Sequence, residues 1–131
     1  MELLKNPNLT IKTSPRRGYG VFATEDIKKG TLLEVCHHIP IPKEEIGTLL
    51  RDYRFWTTKE KTHFSIVFGY ASLYNSSPTP NALWVAPDNL TTPFIFMTIK
   101  DVKKDEEIFI DYQNILNPLY DTTTQWRYPT K

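Results

Sequence analysis

Short alternating or wholly apolar runs, separated by turn residues, make up the pattern along this chain. The run 9–14 alternates apolar with polar positions and stops at Pro15, which predicts a short half-buried strand. The run 20–23 is brief and apolar, and turns at Thr24-Glu25-Asp26 and Lys28-Lys29-Gly30 follow it. Residues 31–39 predict a longer strand, and the prolines of 40–43 are expected to break it. The run 64–70 is apolar and aromatic and includes Gly69, and short strands are predicted over 82–86, 93–99 and 107–110. Helical spacing is weak, and only 43–55 shows it, with Ile46, Leu49, Leu50 and Tyr53 suggesting a helical turn. Residues 76–81 hold two prolines and predict an irregular loop, and the charged stretch 100–105 predicts a solvated turn. The expected fold is mainly β, with many short strands, irregular loops and one or two short helices.

Composition narrows the function classes. A chain of 131 residues that is 40% hydrophobic and 24% charged is expected to fold as a single domain over 1–131. Lysine plus arginine is 16 against 15 acidic residues, a net charge of +1. That balance argues against direct nucleic-acid binding, which needs a basic face. Ten prolines against five glycines point away from long helices. The start shows no basic-then-apolar leader, and no apolar run approaches the roughly 20 residues that span a bilayer. An intracellular location without a membrane is expected, and the sequons at Asn8, Asn75 and Asn89 are expected to stay unmodified. Cys36 is the single cysteine, so neither an internal disulfide nor a cysteine-rich zinc site can form. Cys36-His37-His38 lies on a predicted strand, where neighbours face opposite sides and cannot converge on one ion, so no metal is expected.

Three segments carry candidate chemistry. Arg16-Arg17-Gly18-Tyr19-Gly20-Val21-Phe22 places glycines where a backbone can take positive φ and approach a ligand closely. Leu73-Tyr74-Asn75-Ser76-Ser77-Pro78-Thr79-Pro80-Asn81 is longer and more specific than a hairpin turn. Lys104-Asp105-Glu106-Glu107-Ile108-Phe109-Ile110-Asp111-Tyr112 is a charged turn that feeds a strand ending on a tyrosine. The seven tyrosines raise aromatic content to 13%, and tyrosine suits a site that needs an apolar wall with a polar tip.

In order and spacing, these segments resemble a SET-domain protein lysine methyltransferase, and the minimal length resembles the small SET proteins of large DNA viruses. The family's G-x-G-V-F and D-I-x-x-G-x-L-x-E patterns match Gly18 to Phe22, then Asp26, Ile27, Gly30, Leu32 and Glu34. N-H-S-x-x-P-N is matched by Asn75, Ser76, Ser77, Pro80 and Asn81, with Ser76 standing where the pattern has histidine. G-E-E-(I/L)-x-x-(D/S)-Y is matched by Glu106, Glu107, Ile108, Asp111 and Tyr112.

The resemblance implies a SET fold of several small sheets, with a core at about 9–112 and a pseudoknot-like C-terminal segment tucked under the 75–81 loop. It implies S-adenosyl-L-methionine as cofactor, S-adenosyl-L-homocysteine as product and no metal. Arg17, Gly18, Tyr19, Gly20, Asn75 and Ser76 would hold the cofactor, and Tyr112 would sit beside the transferring methyl. Tyr53, Tyr74, Tyr112 and Trp126 would line the lysine channel, with the segment 113–131, including Tyr120 and Tyr128, closing it in place of a zinc lid. A histone tail lysine is the implied substrate, with a nuclear or chromatin location and a homodimer. The alternative is a SET-like module that binds peptide without catalysis, and Ser76 is the feature that favours it.

Overall fold

The computed structural model describes residues 3–16, 18–48, 53–57, 61–87 and 89–112. In chain order the strands are β1 (Leu4–Lys5), β2 (Leu9–Thr13), β3 (Tyr19–Ala23), β4 (Leu32–Cys36), β5 (His38–Pro42), β6 (Arg54–Thr57), β7 (His63–Val67), β8 (Asn75–Ser76), β9 (Ala82–Val85), β10 (Phe94–Thr98) and β11 (Glu107–Ile110). Short 3-10 turns occupy Lys43–Glu45 and Ala71–Leu73. The strands form three small sheets, ordered β1-β4-β10-β9, β2-β3-β11-β8 and β5-β7-β6. Every strand pair is antiparallel except β8 with β11, which run parallel. No helix among the described residues is long and apolar enough to cross a membrane.

Side-chain alternation explains why β10 is apolar throughout. Phe94 and Phe96 join the main core, whereas Ile95 and Met97 face a second cluster with Leu32 and Val35. Both faces of this strand are therefore covered, which removes the polar phase that a half-exposed strand would show. Aromatic rings join the sheets. Phe55 on β6 meets Trp84, Phe94 and Phe96 edge-on, with centroids 5.1, 5.8 and 5.9 Å apart. Such pairs contribute about 0.5–1.5 kcal/mol each beyond the area they bury.

The strand expected over 31–39 divides in two. β4 pairs with β1 and β10, the chain changes sheet at His37, and β5 pairs with β7. Pro40 and Pro42 lie within β5 rather than ending it. β5 is an edge strand, so its prolines leave the ladder to β7 in place. The helical spacing over 43–55 resolves into one 3-10 turn and the start of β6, while Leu49 and Leu50 lie outside the described residues. Asn75 and Ser76, at the edge of the expected loop, form the short strand β8.

His38 ties the third sheet to the loop before β10. Its Nε2–H donates to the Thr92 carbonyl at 2.9 Å, and Nδ1 accepts from the Ser65 hydroxyl at 2.8 Å. Burial holds the imidazole below the ordinary histidine range, an effect that His37 adds to and the Thr92 bond opposes. The unfolded chain therefore takes this proton first, at about pH 6.5, and stability is lost as pH falls below that value towards the folded-state pKa. His38→Gln should remove this contribution: urea midpoints at pH 7.5 and pH 5.5 should lie closer together in the variant than in the parent chain.

Candidate active site

A cavity of about 570 Å³ opens between the β2-β3-β11-β8 and β5-β7-β6 sheets. Gly18 and Tyr19 form one wall, Tyr53, Arg54 and Phe55 a second, and Ala71, Ser72, Leu73 and Asn75 a third, with Tyr112 at the C-terminal end of the described chain. Four segments far apart in sequence thus meet at one space. Tyr19, Tyr53 and Tyr112 are 64%, 50% and 52% exposed, so their rings border the opening rather than fill the core.

Each segment has a local reason for its course. Gly18 takes φ +52 at the turn into β3, and an added Cβ there would meet nothing within 4 Å, so the backbone faces open space. Gly20 answers a different need. A Cβ at that position would collide with the Glu107 carboxylate and lie 3.0 Å from Asn75 Nδ2. The missing side chain admits a buried polar cluster under the turn: the Ser14 hydroxyl and Asn75 Nδ2 each donate to Glu107, both at 2.7 Å. Asn75 Nδ2 also donates to the Tyr19 carbonyl at 3.1 Å, which fastens β8 to the glycine turn.

The parallel pairing of β8 with β11 sets Asn75 opposite Phe109 and Ser76 opposite Ile110. Asn81 braces it, donating to the Glu107 carbonyl at 3.0 Å and accepting from the Phe109 N–H at 2.8 Å. Ser76 Oγ accepts from the Tyr112 N–H at 3.0 Å. The Tyr112 hydroxyl donates to the Tyr74 carbonyl at 2.6 Å. The tyrosine is therefore anchored at both its backbone and its phenol end.

The expected site residues do not all take the places given them. Gly18, Tyr19, Asn75, Tyr53 and Tyr112 converge on the cavity. Gly20 and Ser76 lie behind it as supports, through the contacts just given. Tyr74 was expected to line the channel, but its ring is fully buried. It stacks on Phe96 at 5.3 Å, and its hydroxyl donates to Glu34 at 2.7 Å, so only its carbonyl serves the site. Arg17 and the whole segment 113–131, with Tyr120, Trp126 and Tyr128, lie outside the described residues.

Two carboxylates to which the sequence motifs give no role, Glu107 and Glu34, stand behind the walls. Glu34 is 1% exposed on β4, among Leu32, Leu33, Val35 and Cys36. Burial raises its carboxyl above the ordinary range, against hydrogen bonds from the Tyr70 N–H, the Tyr74 hydroxyl and Cys36 and the charge of Lys5. A lone acid inside an otherwise apolar strand is the signal that marks it in the sequence. Burial, then the Glu34 charge, pushes the Cys36 thiol up, which keeps it protonated and a poor nucleophile. Among the described residues no group of three His, Cys, Asp or Glu side chains could hold a metal ion.

Gly20→Ala should break the Glu107–Asn75 pair and cost about 1–3 kcal/mol, the usual range for overpacking a filled site. Chemical unfolding measures this loss, and Ser14→Ala, which removes one donor without adding volume, should cost less.

Comparison with known proteins gives the family. The SET-domain family model matches residues 18–113, a span that begins at the cavity's glycine turn and ends one residue past Tyr112. A Schizosaccharomyces pombe "Histone-lysine N-methyltransferase, H3 lysine-37 specific" is 30% identical over 115 residues, which cover 84% of this chain and 76% of that protein. The crystal structure of a Plasmodium falciparum protein assigned as a histone methyltransferase matches with a TM-score of 0.68 at 34% identity, covering 83% of this chain and 94% of that one. With the family match spanning well over half of its length, this chain belongs to the SET-domain family.

Proposed function

We propose that this chain is an S-adenosylmethionine-dependent protein lysine N-methyltransferase acting on a histone tail lysine. The observation that carries the reading is the convergence of Gly18, Tyr19, Asn75 and Tyr112 on one cavity of about 570 Å³. That volume falls inside the roughly 300–1,000 Å³ of small-molecule sites. The donor set also suits the cofactor: exposed backbone at Gly18, an amide at Asn75, and tyrosine rings whose faces attract a cation. When bound, S-adenosylmethionine supplies a methyl group on a positively charged sulfonium. Gly18, Tyr19 and Asn75 would hold it, with Gly20 and Ser76 supporting them from behind, and Arg17, which lies outside the described residues, belongs to the same proposed cofactor set.

The residues around the cavity address the main obstacle to the reaction. A free lysine has a pKa near 10.4, so about one in a few thousand is neutral at pH 7, a deficit of roughly 4–5 kcal/mol. Phe55 and Leu73, with the rings of Tyr19 and Tyr53, offer walls that strip water from the ammonium and favour its neutral form. No histidine or carboxylate base is then required. The Tyr112 hydroxyl donates to the Tyr74 carbonyl, which fixes the phenol oxygen where it would accept an amine N–H and aim the nitrogen lone pair. Tyrosine faces would favour a methylammonium product by about 0.5–2 kcal/mol each. The segment 113–131, with Trp126, would close the channel.

The non-catalytic alternative rests on Ser76 in place of histidine. The Ser76 hydroxyl holds the Tyr112 backbone, so the serine supports an ordered tyrosine. The relatives named as histone methyltransferases favour catalysis, a histone substrate and a chromatin location. The homodimer belongs to the same proposal.

The test is labelled-methyl transfer to core histones, with mass spectrometry of the product, beside calorimetry with S-adenosylmethionine. Transfer to lysine is expected. No transfer and no binding at high micromolar cofactor would overturn the reading. Tyr112→Phe should keep cofactor affinity and lose about a hundredfold or more in turnover, because it removes the oriented hydroxyl. A fully active Tyr112→Phe would sink the role given to that residue.

A further inference from the structure

Glu34 has no part in the chemistry above, yet its two oxygens divide between the two ends of one cavity wall. Oε1 accepts from the Tyr70 N–H at 2.9 Å, and Oε2 accepts from the Tyr74 hydroxyl at 2.7 Å. Between those anchors lies the 3-10 turn Ala71–Leu73, whose residues line the cavity. The far end of the turn presents the Tyr74 carbonyl to the Tyr112 hydroxyl at 2.6 Å. Gly69, at φ +77, leaves room for the carboxylate, since a Cβ there would press on Glu34 Oε1 and on Cys36 Sγ. The Tyr74 ring is held by its stack on Phe96, so the residue has little freedom to shift its carbonyl alone.

A buried charge at this place is costly for stability, and a leucine would fill β4 more cheaply. What a carboxylate offers and leucine does not is a pair of short, charge-assisted bonds with fixed directions. We infer that Glu34 is a positioning residue for Tyr112: it clamps both ends of the 70–74 turn from the core side and so sets where the Tyr74 carbonyl holds the Tyr112 hydroxyl. This rests on the methyltransferase reading. A displacement of the reacting geometry by a fraction of an ångström is enough to lower the rate, while Asn75, held separately by Glu107 and the Tyr19 carbonyl, keeps its place for the cofactor.

Two variants test it. Tyr74→Phe deletes only the bond to Oε2 and keeps the stacked ring. Glu34→Gln keeps the shape and one acceptor. In each, kcat per folded molecule on a histone peptide should fall about tenfold or more. The cofactor Kd by calorimetry and the peptide KM should stay within about twofold, a split that simple loss of folded protein would not produce. Tyr112→Phe placed in the Tyr74→Phe background should cost much less than it does alone, because both act through the same oxygen. Wild-type kcat in folded Tyr74→Phe overturns the inference, as does a loss that multiplies in full with that of Tyr112→Phe. Failure of Tyr74→Phe to fold also overturns it, since the hydroxyl would then serve the core as a whole. If Glu34→Gln alone fails to fold, Tyr74→Phe decides. An inactive wild-type chain would instead remove the methyltransferase reading, a different result from an active chain with unaffected variants.

Discussion

Two residues of parallel ladder carry the arrangement of this molecule. Asn75 against Phe109 and Ser76 against Ile110 are the whole of the pairing between β8 and β11. Without it the tyrosine at the end of β11 would have no fixed relation to the loop that holds Asn75. A ladder this short cannot hold itself, and side chains supply the rest. Asn81 grips the backbone of β11 at two points, the Ser77 N–H donates to the Ile110 carbonyl at 2.9 Å, and Trp84 Nε1 donates to the Asp111 carbonyl at 2.9 Å. Ile108 and Ile110 are fully buried beneath. The chain between the paired segments includes β9 and β10, so the β1-β4-β10-β9 sheet must form for the ladder to close.

The cavity owes its shape to what lies behind it. Glu107 backs the glycine turn and Asn75, and Glu34 backs the turn that ends at Tyr74. In both places a glycine gives up its side-chain volume to a carboxylate, Gly20 for Glu107 and Gly69 for Glu34. Acids inside a protein cost stability unless their oxygens are satisfied, and here each oxygen has a donor. Their return is direction: a charged acceptor fixes two segments at once, which an apolar contact of equal area does not. The aromatic cluster of Phe55, Trp84, Phe94 and Phe96 supplies cohesion between sheets, and the carboxylates supply register at the site.

Much of this was legible along the chain, for reasons that can be named. The strands over 9–13, 82–85, 94–98 and 107–110 follow local apolar runs bounded by turn residues, so periodicity and punctuation suffice for them. The split of 31–39 was not legible, because the local pattern carries no mark of the point where a strand leaves one sheet for another. That point, His37, is set by which partners, β10 or β7, lie on either side. The prolines of β5 misled for a similar reason: their effect depends on whether the strand is an edge, which is a property of the sheet.

The amino-acid sequence by itself determined the family, through three motif segments whose order and spacing survive without coordinates, and with it the small-sheet β architecture and a set of candidate site residues. Only the tertiary structure decided which tyrosines face the cavity. Tyr74 and Asn75 are neighbours, yet one points into the core and the other to the site. Successive side chains leave the backbone in different directions, and Tyr74 is drawn inward by Phe96 and by a carboxylate 40 residues earlier in the chain. Tyr19, Tyr53 and Tyr112 stay at the surface of the cavity. The partners that make this distinction are distant in sequence, so no local pattern records it.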